Sequence, residues 1–113
     1  MTRDDGLQVI EYDDRAIVKA SGSLGVDSER VGAIIRNCLE KGDRRLVLDM
    51  KAVPYINSDG LRMLQEALRQ ADEAQASLSL ANANDNVLRT LSLSQVDKLV
   101  QVFSTVRDAL RAS

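Results

Sequence analysis

The chain has no histidine and no tryptophan, and the missing imidazole excludes the most familiar chemistry. There is no histidine base for a serine or cysteine nucleophile and no Cys/His metal centre. The single cysteine, Cys38, cannot form an internal disulfide; it reads as a small core residue. One phenylalanine and two tyrosines give almost no stacking platform, and 15 basic residues against 17 acidic ones give no positive field. Nucleic acid is therefore not an expected partner. The longest apolar runs, such as Leu46-Val47-Leu48, fall far short of the ~20 residues that cross a bilayer. Met1 to Gly6 show no apolar stretch of signal-peptide type, so a cytoplasmic protein is expected. Neither a G-x-S-x-G elbow nor a Walker loop occurs. No catalytic residue, metal or cofactor is expected, and an enzyme is the least favoured class.

What is present suits one α/β domain over residues 1–113. Hydrophobic residues make up 44% and charged residues 28% of the 113, enough for one core and ordinary for a globular fold. Residues 7–12 and 16–20 are short β-rich runs around the polar turn Asp13-Asp14-Arg15, and predict a hairpin. Ser21 to Val26 form a small glycine-bearing loop leading to Asp27 or Ser28 as helix cap. From there Val31, Ile34, Ile35, Cys38 and Leu39 make one apolar stripe, and Gly42 is placed to end the helix. Residues 45–50 read as a central strand buried on both faces. A second helix after Pro54 carries Leu61, Leu64, Ala67, Leu68 and Ala71 on one face. Residues 77–81 alternate polar and apolar like a strand, 84–93 resemble a short helix, and 100–103 suit an edge strand. Ser104 is placed to cap a terminal helix bearing Val106, Ala109 and Leu110. The order predicts a mixed sheet, with a hairpin followed by βαβαβα, packed against helices.

Ser58 lies where the loop after Pro54 turns into the second helix. Its ordinary reading is a helix cap; its functional reading is a phosphoacceptor, because a phosphate there lies against helix N–H groups and the positive end of the dipole. Arg62, one turn on, is within reach of such a phosphate, although a solvated surface arginine is the commoner case. Asp59 complements the helix N-terminus. Met63 stands at the edge of the apolar face, where core filler is favoured over a partner patch. The acidic pairs Asp4-Asp5 and Asp13-Asp14 read as solvated charge.

Val53-Pro54-Tyr55-Ile56-Asn57-Ser58-Asp59-Gly60-Leu61-Arg62-Met63-Leu64 resembles the signature of STAS domains. Ser21-Gly22-Ser23-Leu24 is similar to that family's loop before its first helix, Arg45 to Met50 to its central strand, and Val96 to Ser104 to its ending. The resemblance, to the bacterial anti-sigma-factor-antagonist type, implies phosphorylation-controlled partner switching that regulates transcription. The unphosphorylated protein binds an anti-sigma factor that is also a serine kinase, phosphorylation releases it, and a serine phosphatase resets the switch. It makes Ser58 the phosphoacceptor and places Ser23, Gly25, Asn57, Ser58, Asp59, Gly60, Arg62 and Met63 in the partner surface. Asn57 and Gly25 stand where the family often has aspartate. A monomer or weak dimer is expected. The alternative is a constitutive STAS scaffold or accessory subunit, stressosome-like or transporter-associated, with no phosphorylation switch.

Overall fold

The computed structural model describes residues 8–21 and 28–112. Two strands open it, β1 (Gln8–Tyr12) and β2 (Arg15–Ser21), paired antiparallel with Ile10 opposite Ile17. The turn between them is two residues, not three. Asp13 takes the left-handed conformation with φ 54°, which a short polar side chain tolerates, and Arg15 thereby joins β2. Its guanidinium stands 5.6 Å from the Tyr12 ring centroid, close enough for a cation–π contact.

Helix α1 (Ser28–Lys41) follows. Val31, Ile35, Cys38 and Leu39 are buried and Ile34 packs beside them, as the apolar stripe predicts. Gly42 ends the helix with φ 106°, a conformation that excludes most side chains. The expected loop residues Ser23 and Gly25, and the candidate cap Asp27, lie outside the described residues.

Strand β3 (Arg45–Ala52) is the middle of a five-stranded sheet in the order β1-β2-β3-β4-β5. It pairs parallel with β2 on one side and with β4 (Ser77–Ala81) on the other, and β5 (Gln101–Phe103) closes the far edge, also parallel. Leu46 to Met50 are all buried, as expected of a strand covered on both faces. One face, with Ala16, Val18, Leu46, Leu48, Met50 and Leu80, packs under α1, α2 (Ser58–Glu73) and α3 (Asp85–Leu93). The other face carries Val47 and Ala81, which meet Ala109, Val106 and Leu110 of the six-residue α4 (Val106–Arg111).

That second cover accounts for two departures from the sequence pattern. Ser77 to Ala81 alternate in polarity, yet Leu78 to Ala81, including Ser79, are all buried, because β4 lies between two strands with helices on both faces. Thr105 caps α4 through a bond from Asp108 N to its hydroxyl at 3.0 Å. The cap is one residue later than Ser104, since Thr105 is the residue in extended conformation next to the helix. A 3₁₀ turn at Val96–Lys98 precedes β5 and buries Val96.

Candidate functional site

The C-terminal end of β3 delivers the chain to α2. Val53 N donates to Met50 O at 3.0 Å as the strand closes, and Val53 and Ile56 anchor the connection by burial while Pro54, Tyr55, Asn57, Ser58 and Asp59 stay exposed. The apolar residues pin the loop, and the polar ones are left at its outer edge.

Asn57, not Ser58, caps α2. Asn57 has extended backbone, φ −105° and ψ −173°, and its Oδ1 accepts the Gly60 amide at 3.0 Å. Its carbonyl accepts Leu61 N at 2.9 Å. A cap must stand outside the helical conformation and reach the third helical residue, and Ser58 is already the first residue of the helix. Asparagine and aspartate cap equally well, so Asn57 keeps the cap but not the negative charge. The Ser58 hydroxyl is exposed and has no hydrogen-bond partner among the described residues. The amides of Ser58 and Asp59, at the first two helical positions, have no acceptor within the helix.

The other expected residues gather around Ser58 in different ways. Arg62 Nη1 lies 3.7 Å from Asp59 Oδ1, with side-chain exposures of 80% and 66%, a surface pair worth a few tenths of a kcal/mol at most. Gly60 is buried. Met63 is half-buried against the core, and a Cβ added at Gly32 would stand 3.1 Å from its Cγ. Gly32 therefore lets α1 and α2 approach each other. Along that contact runs an open groove of about 800 Å³, lined among others by Ser28, Gly32, Arg36, Asp59, Arg62 and Met63, which continues the Ser58 surface between the two helices.

Three residues that the sequence reading did not single out hold this loop from below. Asn84 caps α3 by accepting Val87 N at 2.8 Å, and its Nδ2 donates to Val53 O at 3.2 Å and Pro54 O at 3.1 Å. The buried Asp49 carboxylate accepts Lys51 N at 3.1 Å and Asn82 Nδ2 at 2.9 Å. Asn82 takes φ 61° and donates its amide to Phe103 O at 3.2 Å. The ends of β3, β4 and β5 are thus tied together next to the loop. Asn82 and Asn84 in a turn-like segment were the one signal available, and asparagine in turns is too common to point to a particular partner.

At the opposite end of β3 the chain gathers a second set of groups. Glu11 of β1, Cys38 of α1 and Asp43, just before β3, each bring a donor atom within 4.8 Å of the others. Burial pushes the Asp43 carboxyl up to about 6, with the Glu11 carboxyl adding to the effect. Glu11 is held below the usual range by its hydrogen bond with Asp43 and by the Lys41 ammonium, which donates to Glu11 Oε1 at 2.7 Å. Burial, then the charges of Glu11 and Asp43, push the Cys38 thiol up to about 12. Cys38 is a core residue, as its sequence context suggests, with acidic neighbours that sequence separation conceals.

A family model described as STAS domain matches residues 7–109. A Thermotoga maritima protein provisionally named an anti-sigma factor antagonist is 24% identical over 100 residues, 87% of this chain and 88% of its own. The alignment with a similarly named Thermotoga neapolitana relative spans 64% of that protein. Among solved structures, an anti-sigma factor antagonist from Mycobacterium paratuberculosis superposes with TM-score 0.82 at 22% identity, covering 94% of this chain and 91% of that one. The antagonist SpoIIAA in its unphosphorylated form gives TM-score 0.78 at 15% identity, covering 92% of each chain. The STAS domain of a SulP transporter from Vibrio cholerae gives 0.74 at 20%, covering 91% and 83%.

Proposed function

The chain belongs to the STAS domain family, and on that premise we propose that it is an anti-sigma factor antagonist whose hold on its partner is switched by phosphorylation of Ser58. The observation that carries this reading is the division of labour at the start of α2. Asn57 takes the cap, so the neighbouring exposed hydroxyl is left for chemistry.

A phosphate on Ser58 would lie beside the unused first-turn amides of a 16-residue helix, where about two negative charges are well placed. It would break no hydrogen bond that the described residues make. Its effect would fall on a partner seated over Asn57, Ser58, Asp59, Arg62 and Met63, because a doubly charged group in an interface must be desolvated and meets any like charge there. On this reading the partner is an anti-sigma factor that is also the serine kinase, and a phosphatase restores the binding form. The protein works by binding and has no reaction of its own.

The test is to incubate the purified protein with candidate anti-sigma factor kinases and ATP, map the modified site by mass, and measure affinity for Ser58→Asp. Phosphate on Ser58 alone, and affinity for the anti-sigma factor lowered by a few kcal/mol in Ser58→Asp, is the expected result. Undiminished binding by Ser58→Asp, with no transfer of phosphate, is the result expected of a constitutive scaffold and would overturn the switch.

A further inference from the structure

Glu11, Cys38 and Asp43 lie at the end of β3 away from Ser58. They are brought together by three separate features of the chain. The hairpin places Glu11 on the edge strand, the last turns of α1 place Cys38, and Gly42 turns the chain so that Asp43 N donates to Cys38 O at 3.0 Å. Cys38 is 1% exposed and Asp43 6%. Lys41 holds Glu11 in place from outside.

Ionised, the three groups only offer electron pairs. Asp43 Oδ2 is buried and takes no hydrogen bond among the described residues, a rare condition for a carboxylate oxygen inside a protein. What such a set accepts at its centre is a proton or a metal ion. We propose that Glu11, Cys38 and Asp43 form a site for a borderline-soft divalent cation of the zinc and cadmium class.

The donor set selects the class. One thiolate with two carboxylates is unsuited to calcium or magnesium, which take six or more oxygens, and it suits a four-coordinate ion with one water. Bonds of about 2.3 Å to sulfur and 2.0–2.2 Å to oxygen put ligand atoms roughly 3.5 Å apart. Donor atoms now within 4.8 Å of one another therefore close on the ion by a movement of about 1 Å or less. Binding transfers the Cys38 thiol proton to solvent, together with the Asp43 proton where that group is protonated. The dication and the Lys41 ammonium then balance one thiolate and two carboxylates. The ion would fasten the edge strand β1 to the end of α1, and it would stabilise the folded chain in proportion to its free concentration.

The experiment uses the full chain stripped with chelator and titrated with zinc by calorimetry, and with cadmium while following the ultraviolet charge-transfer band of a cadmium–thiolate bond. One ion per chain, appearance of the band, and a metal-dependent rise in Tm are expected. Cys38→Ser should remove the band. Glu11→Gln and Asp43→Asn, each first shown to melt cooperatively without metal, should each weaken binding by roughly 100-fold, at or beyond the upper end for groups that merely orient a ligand. Absence of stoichiometric binding would overturn the proposal and leave a carboxyl pair that shares a proton. A band with affinity unchanged in Glu11→Gln and Asp43→Asn would overturn it too, since a lone thiol would then be taking the ion.

Discussion

Asn57 Oδ1 accepts the amide of Gly60 at 3.0 Å, and this bond relieves Ser58 of any duty in the fold. Asn57→Ala is expected to cost about 1 kcal/mol, the usual value of a lost cap. Ser58→Ala is expected to stay within about 0.5 kcal/mol of the parent. Urea unfolding of the two variants checks both; a larger loss in Ser58→Ala than in Asn57→Ala would return the cap to the serine.

Asn84 serves two elements at once, capping α3 and holding Val53 and Pro54. Asn84→Ala should cost roughly 1–3 kcal/mol, because the cap is lost and two carbonyls lose their donor. Amide exchange should rise in the loop before Ser58 as well as in α3. Exchange confined to α3 would show that the loop does not depend on Asn84.

Leu48 is fully buried at the middle of the central strand, within the cluster under the three large helices. Leu48→Ala should destabilise by about 2–5 kcal/mol through lost transfer energy and the cavity left behind. Denaturant titration with an unchanged slope and a lowered midpoint is the expected signature.

Asp43 carries a pH dependence with a definite sign. Its folded value of about 6 lies above the ordinary 3.8, so in metal-free protein the folded state binds the extra proton and stability falls as pH rises between about 4 and 6. At about 1.4 kcal/mol per unit, the fall is at most roughly 3 kcal/mol. Among the groups facing Asp43, Glu11 shifts downward and so opposes the decline only at its acid end, the Cys38 thiol titrates far above the window, and Lys41 stays charged throughout it. Unfolding in the presence of chelator should show the decline in the parent and none in Asp43→Asn.

The sequence revealed much of the fold because its strongest signals are local and periodic. The stripe from Val31 to Leu39, the continuous run from Leu46 to Met50 and the leucine-rich face of α2 each declare the element they form and the side they bury. Caps were legible only to within a residue. Asn57 and Ser58, or Ser104 and Thr105, are adjacent residues that both can cap, and the backbone angle that decides between them depends on how the preceding loop is anchored. The burial of Ser79 was concealed for another reason, since the second helical cover of β4 comes from α4, about 30 residues later. Ser58 is legible as a candidate from its position at a helix start together with the resemblance of the segment around it. Asn84 and the Glu11, Cys38 and Asp43 set are not, because those contacts join residues whose separation in sequence has no period.

Helix α4 covers the second face of the sheet with six residues, resting on Val47 and Ala81. A helix of that length has almost no stability of its own, so it should lift off the sheet long before the rest of the molecule unfolds. Each such opening would bare one side of β3 and β4 and loosen the outermost strand β5. Among the described residues the weakest side is thus the one opposite α1 and α2, and proteolysis within them should begin at Arg107 or Arg111, both exposed on that helix, while the described half that carries Ser58 remains folded.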